Sequence, residues 1–257
     1  MTDPRRLARA ARVALAAAAL ALLAAPAAQA ADKAAITWLG HATFQVTSPA
    51  GVELLVDPFL TKNPKTPEAQ KDLDAYSPDA LLITHSHFDH SADLAALARK
   101  TGAPVIGAFD YVQSLDIPAA QKKGGNAGGK IDVGGVTVHL VPAMHGSVPG
   151  GRPVGFVLEF ENGVKLYDTG DTWIFGDMAL IQEIHDPDII LLQAGGGPYN
   201  QDPETAALAL DKYFDADLVV PMHYGTWPVL ASEGEVRDAL GERAEVRIMQ
   251  PGETVEY

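Results

Sequence analysis

Three imidazoles and a carboxylate fall within six consecutive positions, in the run His85-Ser86-His87-Phe88-Asp89-His90. The run follows Thr84 and the apolar stretch Ala80-Leu81-Leu82-Ile83, which reads as a short buried strand. Side chains at i and i+2 of an extended segment share a face, so His85 and His87 converge on one ion. Asp89 and His90 then turn toward a second. Imidazoles are seldom spent on structure, and crowding them is unfavourable once any is protonated. The pattern therefore reads as a metal site at a strand end rather than as a polar surface turn.

Three further segments supply what such a site needs. His145 lies in Val141-Pro142-Ala143-Met144-His145, just past an alternating, strand-like run. Asp171 follows the apolar Leu166-Tyr167 within Asp168-Thr169-Gly170-Asp171, and His223 follows Leu218-Val219-Val220-Pro221-Met222. Each is a metal-type ligand at the end of a strand and the start of a turn. An open α/β sheet presents an active site at the carboxyl ends of its strands in this way.

The run HSHFDH, followed in order by separate His, Asp and His ligands, resembles the metallo-β-lactamase superfamily. The segments Ile36-Thr37-Trp38-Leu39-Gly40-His41-Ala42, Leu54-Leu55-Val56-Asp57-Pro58, Gly170-Asp171-Thr172 and Pro221-Met222-His223-Tyr224-Gly225-Thr226 are similar to a narrower group. That group is a family of largely uncharacterised metal-dependent hydrolases related to ascorbate-6-phosphate lactonase. The resemblance covers the chain after residue 34. It implies an α/β fold, the four-layer αβ/βα sandwich, with a dinuclear site at one edge.

Carried over residue by residue, the resemblance assigns His85, His87 and His145 to a first metal. It assigns Asp89, His90 and His223 to a second, with Asp171 bridging both. The chain has no cysteine, so the thiolate ligand of many β-lactamases of this superfamily is absent. Five imidazoles with two carboxylates suit Zn²⁺ best, while Mn²⁺, Fe²⁺ and Ni²⁺ accept the same donors. Two divalent ions about 3.5–4 Å apart hold a shared hydroxide near neutral pH and polarise the oxygen of the group under attack. Asp89 and His223 are the expected catalytic residues, Asp89 ligating and orienting that hydroxide.

Around these ligands the residue types allow more than one role. Asp57 ends an apolar strand before Pro58, where it either accepts the free N–H of a ligating histidine or serves as a turn carboxylate. His41 either lines the pocket or is a partly buried histidine bonded to backbone. The hydroxyls of Tyr224 and Thr226, beside His223, either touch substrate or brace the turn. Asp168 reads as a structural strand-end acid, His139 as part of a solvated strand face, and His185 as a cation favoured near a helix end. Gly195-Gly196-Gly197 lacks the ending of a phosphate-binding loop and reads as a pocket-edge turn; residues 124–129 read as a flexible surface loop.

The first thirty residues serve a different purpose. Arg5, Arg6, Arg9 and Arg12 precede the apolar stretch 13–25, and Ala28-Gln29-Ala30 is a small-x-small cleavage pattern. Residues 1–30 read as a secretory signal peptide by the general or the twin-arginine route, giving a periplasmic or secreted protein. The stretch is shorter than the ~20 residues that span a bilayer, so no membrane association is expected after cleavage. Cleavage removes four arginines and Asp3, shifting the formal charge from −14 by minus three. So acidic a protein disfavours nucleic acid as a partner, leaving a small-molecule substrate; nothing in the sequence sets an oligomeric state.

Residues 31–257 fit a single domain, with helices expected at 92–99, 177–184, 203–213 and 232–240. The expected activity is hydrolysis of a small ester, lactone or phosphoester. The rivals are a phosphodiesterase using Arg152 as phosphate-binding cation, a weak β-lactamase, and a periplasmic metal-binding protein without turnover. Redox use of a di-iron centre is disfavoured because redox relatives prefer a carboxylate where this chain has His87.

Overall fold

The computed structural model describes residues 33–148 and 150–257; the expected signal peptide lies outside them. Among the described residues thirteen strands follow in chain order: β1 Ala35–Gly40, β2 Thr43–Thr47, β3 Glu53–Val56, β4 Ala80–Ile83, β5 Val105–Ala108, β6 Lys122–Gly125 and β7 Lys130–Val133, then β8 Val136–Pro142, β9 Val154–Glu159, β10 Lys165–Asp168, β11 Ile189–Gln193, β12 Leu218–Met222 and β13 Thr254–Glu256. The helices are α1 Phe88–Ser91, α2 Leu94–Thr101, α3 Phe109–Ser114, α4 Met178–His185, α5 Pro203–Tyr213 and α6 Glu233–Leu240. One sheet has the order β13-β1-β2-β3-β4-β5-β6 and the other β12-β11-β10-β9-β8-β7. Both are mixed and flanked by helices, the αβ/βα sandwich that the resemblance implies.

Strand periodicity decides which side chains meet. Leu54, Val56 and Leu82 face the second sheet and share a core with Val138, Phe156, Leu158, Leu192 and Val220. Their neighbours Leu55, Leu81 and Ile83 point the other way, onto Leu94, Leu97 and Ala98 of α2. A strand covered on both faces must be apolar throughout, which is why Ala80-Leu81-Leu82-Ile83 carries no polar residue. The pairs β3–β4, β4–β5, β10–β11 and β11–β12 are parallel, so within each sheet several strands end at the same edge.

Helix ends follow local chemistry. Asp202 accepts a hydrogen bond from the Thr205 amide and precedes Pro203 at the start of α5. Ser232 and Glu235 form a reciprocal capping box on α6. The expected helix at 92–99 lies two residues later, because the separate turn α1 occupies Phe88–Ser91 and ends in Ala92. Residues 124–129 are not a free loop throughout: Gly124 and Gly125 close the edge strand β6, paired with β5. A side chain at Gly124 would meet the Phe109 backbone at 2.8 Å, so the missing Cβ permits that close approach.

Candidate metal centre

His85 continues directly beyond β4, and His87 caps the N-terminus of α1, whose first turn carries Asp89 and His90. The switch from strand to helix is what divides the run: His85 and His87 stay on one side while Asp89 and His90 swing to the other. His145 arrives from beyond β8, Asp171 from beyond β10 and His223 from the end of β12.

The donor atoms gather in overlapping sets. His85, His87 and His145 form one, and His85, His90 and Asp171 another; a third contains His41, Asp89, His90 and His223, with the atoms of each set within 4.8 Å of one another. His85 Nε2 stands 2.8 Å from His87 Nδ1, and His145 Nε2 3.3 Å from the same atom. Asp171 reaches both halves: its Oδ2 is 3.4 Å from His145 Nε2 and 3.2 Å from His223 Nε2, and its Oδ1 is 3.4 Å from His90 Nε2. His90 Nε2 and Asp171 Oδ1 are buried with no hydrogen-bond partner. Buried polar atoms normally find one. A lone pair on nitrogen beside an unsatisfied carboxylate oxygen is what a cation would satisfy, so the residues fit two divalent metals.

The surroundings fix these rings. Asp57 Oδ2 lies 2.6 Å from His90 Nδ1, while the Thr84 amide and hydroxyl donate to Oδ1 and Oδ2 of the same carboxylate. The Thr84 hydroxyl is also 3.0 Å from His85 Nδ1. His41 is wholly buried, its Nδ1 2.8 Å from the Thr226 hydroxyl and its Nε2 3.1 Å from Asp89 Oδ2. His41, Asp57 and His223 all have positive φ (58°, 46° and 71°), a backbone region that only a few per cent of non-glycine residues occupy; Asp186, capping α4 away from the cluster, shares it.

Protonation follows from this packing. Burial, reinforced by the charge of His90, holds His85 well below the usual imidazole range. Burial and His223 lower His41 to about 3. Burial alone would depress His90 too, but Asp171 and Asp57 outweigh it and hold that ring well above its ordinary value. Asp171 is the converse: burial opposes its charge, and His223 and His90 prevail, keeping it ionised. Ionised Asp171 and neutral His85 are in the forms that bind metal, whereas His90 gives up its proton when a cation takes its place.

The structure decides between the two roles open to Tyr224 and adds residues the sequence did not signal. Tyr224 does not reach the pocket: its hydroxyl donates to the Met249 carbonyl at 3.3 Å and its ring packs on Trp38, because it points away from its neighbour His223. Arg152 lines an adjacent cavity with Met144, Asp110 and one side of His145. His139 is half-buried against His185, ring centroids 4.9 Å apart, rather than on an open face. Asn200 was missed; its Nδ2 donates to Asp171 Oδ2 at 3.0 Å, and only its place after the Gly195–Gly197 turn hinted at it. Thr84 and Trp227 carried no signal at all.

The model of the "Beta-lactamase superfamily domain" matches residues 35–223. A "UPF0173 metal-dependent hydrolase" of Rubrobacter xylanophilus is 44% identical over 234 residues, covering 85% of this chain and 94% of the relative. The chain belongs to the UPF0173 family of metal-dependent hydrolases, within the metallo-β-lactamase superfamily. Among solved structures, Igni18, a metallo hydrolase from Ignicoccus hospitalis, is 33% identical with a TM-score of 0.77, over 88% of this chain and 98% of its own. The metallo-beta-lactamase fold protein YhfI from Bacillus subtilis shares the fold at 17% identity and a TM-score of 0.67, over 88% and 99% of the two chains. As a UPF0173 hydrolase the chain is an enzyme, which sets aside metal binding without turnover. Among the described residues no helix is long and apolar enough to cross a membrane.

Proposed function

We propose that this UPF0173 hydrolase is exported and cleaves a small carboxylic ester, lactone or phosphoester with two divalent cations, Zn²⁺ foremost. The observation that carries the reading is Asp171, a buried carboxylate within reach of both halves of a histidine cluster at the floor of an open cavity of about 440 Å³. Two bound cations would acidify a shared water and polarise the oxygen under attack. The resemblance to ascorbate-6-phosphate lactonase supports including lactones among the substrates, and the basic, apolar and small-x-small pattern of residues 1–30 supports export to the periplasm or medium.

The chain's own residues hold the reaction in place. Asp89 borders the cavity, and His41 Nε2 clamps its Oδ2, which sets the carboxylate to orient the attacking water. His223 flanks the same point, its Nε2 3.8 Å from Asp89 Oδ2. The water oxygen bonds to the acyl carbon or phosphorus, the bond to the leaving oxygen breaks, and that oxygen departs with a proton drawn from the water. The phosphodiesterase reading has less support, because Arg152 borders an adjoining cavity that meets this one at His145 and not the cavity over Asp171 itself.

Elemental analysis of the mature protein beside His85→Ala and Asp171→Ala, followed by ester, lactone and phosphodiester screens with the metals found, tests this reading. Two ions per chain, lost in both variants together with activity, are expected. Full activity in a metal-free protein would sink it.

A further inference from the structure

The cavity over the metal cluster has walls of a marked chemical kind. Above the ligands its lining is Phe88, Trp227, Val229 and Leu230, joined by Tyr199 and Asn200. Among the described residues no lysine or arginine lines it. Arg152 opens onto the neighbouring cavity, and Lys65 lies behind the His223 turn, its Nζ 3.6 Å from where a Cβ on Gly225 would stand. The two polar side chains among the walls, the Tyr199 phenol and the Asn200 amide, are both uncharged groups.

The apolar lining is built rather than incidental. Phe88 is 65% exposed and Val229 50% exposed, costly positions for such residues unless something covers them. Phe88 packs edge-on against the buried ring of Phe59, centroids 5.9 Å apart, and Trp227 closes the group at 5.9 Å from Phe88 and 6.1 Å from Phe59. A rigid aromatic wall thus rises directly beside Asp89. Away from the metals themselves, a substrate carrying a second, lasting negative charge would find no side-chain cation along this wall to receive it. An uncharged acyl compound needs none, and its hydrocarbon removes the exposed wall from water.

Resting on the hydrolase reading above, we propose that the site selects uncharged carboxylic esters, lactones included, whose apolar acyl chain lies against Phe88, Trp227, Val229 and Leu230. Phosphodiesters and substrates with a free carboxylate are discriminated against. Burying each added methylene on that wall raises kcat/KM roughly three- to fourfold until the wall is covered.

Two measurements decide it. With the metal-loaded mature protein, kcat/KM is followed along the p-nitrophenyl acetate, butyrate and hexanoate series in the wild type, Trp227→Ala and Val229→Lys. A steep rise in the wild type, flattened in Trp227→Ala, is expected. Val229→Lys should favour a half-ester with a free carboxylate about two- to fivefold relative to its neutral counterpart, roughly the effect of one added rim charge at low salt. Independently of turnover, the metal-free protein is titrated with 2-octanone and with octanoate by calorimetry. The ketone should bind at least about tenfold tighter, and Trp227→Ala should weaken both probes, which share the alkyl chain, while leaving their order unchanged. A flat chain-length profile, or equal binding of octanoate, overturns the proposal and leaves the hydrolase reading standing. If no ester, lactone or phosphoester turns over with two metals bound, the hydrolase reading falls, and the ketone titration still decides what the cavity prefers.

Discussion

Nδ1 of His90 stands 2.6 Å from Oδ2 of Asp57, and that contact ties the metal cluster to the strand edge beneath it. The same carboxylate holds the Thr84 amide and hydroxyl, so one side chain at the end of β3 sets both the ring of His90 and the start of the ligand run.

Replacing Asp57 by Asn puts an N–H₂ where either His90 or Thr84 already donates. The expected outcome is a loss of metal affinity of about 10–100-fold, because the His90 ring is no longer fixed. Breaking a buried charged pair also costs about 3–5 kcal/mol of stability. Chelator competition and denaturant melts of the variant measure the two effects separately.

His41 makes the same kind of contact with Asp89. His41→Ala frees the Asp89 carboxylate and leaves the Thr226 hydroxyl without its ring partner. One metal should bind about 10–100-fold more weakly while the other is unaffected. Thr226→Val should shift binding in the same direction by less. Unchanged affinity at both sites would show that His41 is only a packed core histidine.

Gly195 allows the turn after β11 to pass close to His223. A Cβ there would lie 2.5 Å from His223 Nδ1 and 2.6 Å from its carbonyl oxygen. Gly195→Ala should therefore push His223 aside, destabilise the fold by about 1–3 kcal/mol through overpacking, and reduce metal content toward one ion per chain. Elemental analysis reads this directly.

Asp168 lies wholly buried, its Oδ1 accepting from the Gly170 amide and its Oδ2 without a partner. Burial, with repulsion from Asp57, pushes its carboxyl up to about 8 from 3.8. Between those values the folded chain keeps a proton that the unfolded chain has shed. Its contribution to the stability of the metal-free protein is full below 3.8 and is lost as pH rises through about 8. The loss is on the order of 6 kcal/mol at most. Asp168→Asn keeps the Gly170 bond and carries no charge, so the variant should melt higher than wild type at pH 8.5 and alike at pH 4. Loading metal should narrow the gap at pH 8.5, since two cations favour the ionised acid. Equal melting points at both pH values in the metal-free state would contradict a proton held at Asp168.

The helices at 203–213 and 232–240 were legible because their caps are local: Asp202 and Ser232 bond to amides three residues on. The donor run at 85–90 was legible for the same reason, since a strand passing into a helical turn separates His85 and His87 from Asp89 and His90 without help from elsewhere. What the sequence by itself determined was the kind of chemistry, a cluster of nitrogen and oxygen donors at strand ends, and the class of fold that can gather it. The direction of Tyr224 was decided by the tertiary structure, because its neighbour His223 has a positive φ that residue types do not announce. The bond between His41 and Asp89 spans 48 positions, and Asn200 meets Asp171 across 29. Such partners are chosen by sheet order and register, and the wall of Phe88, Trp227 and Val229 exists only once segments from both sheets meet over the metal site.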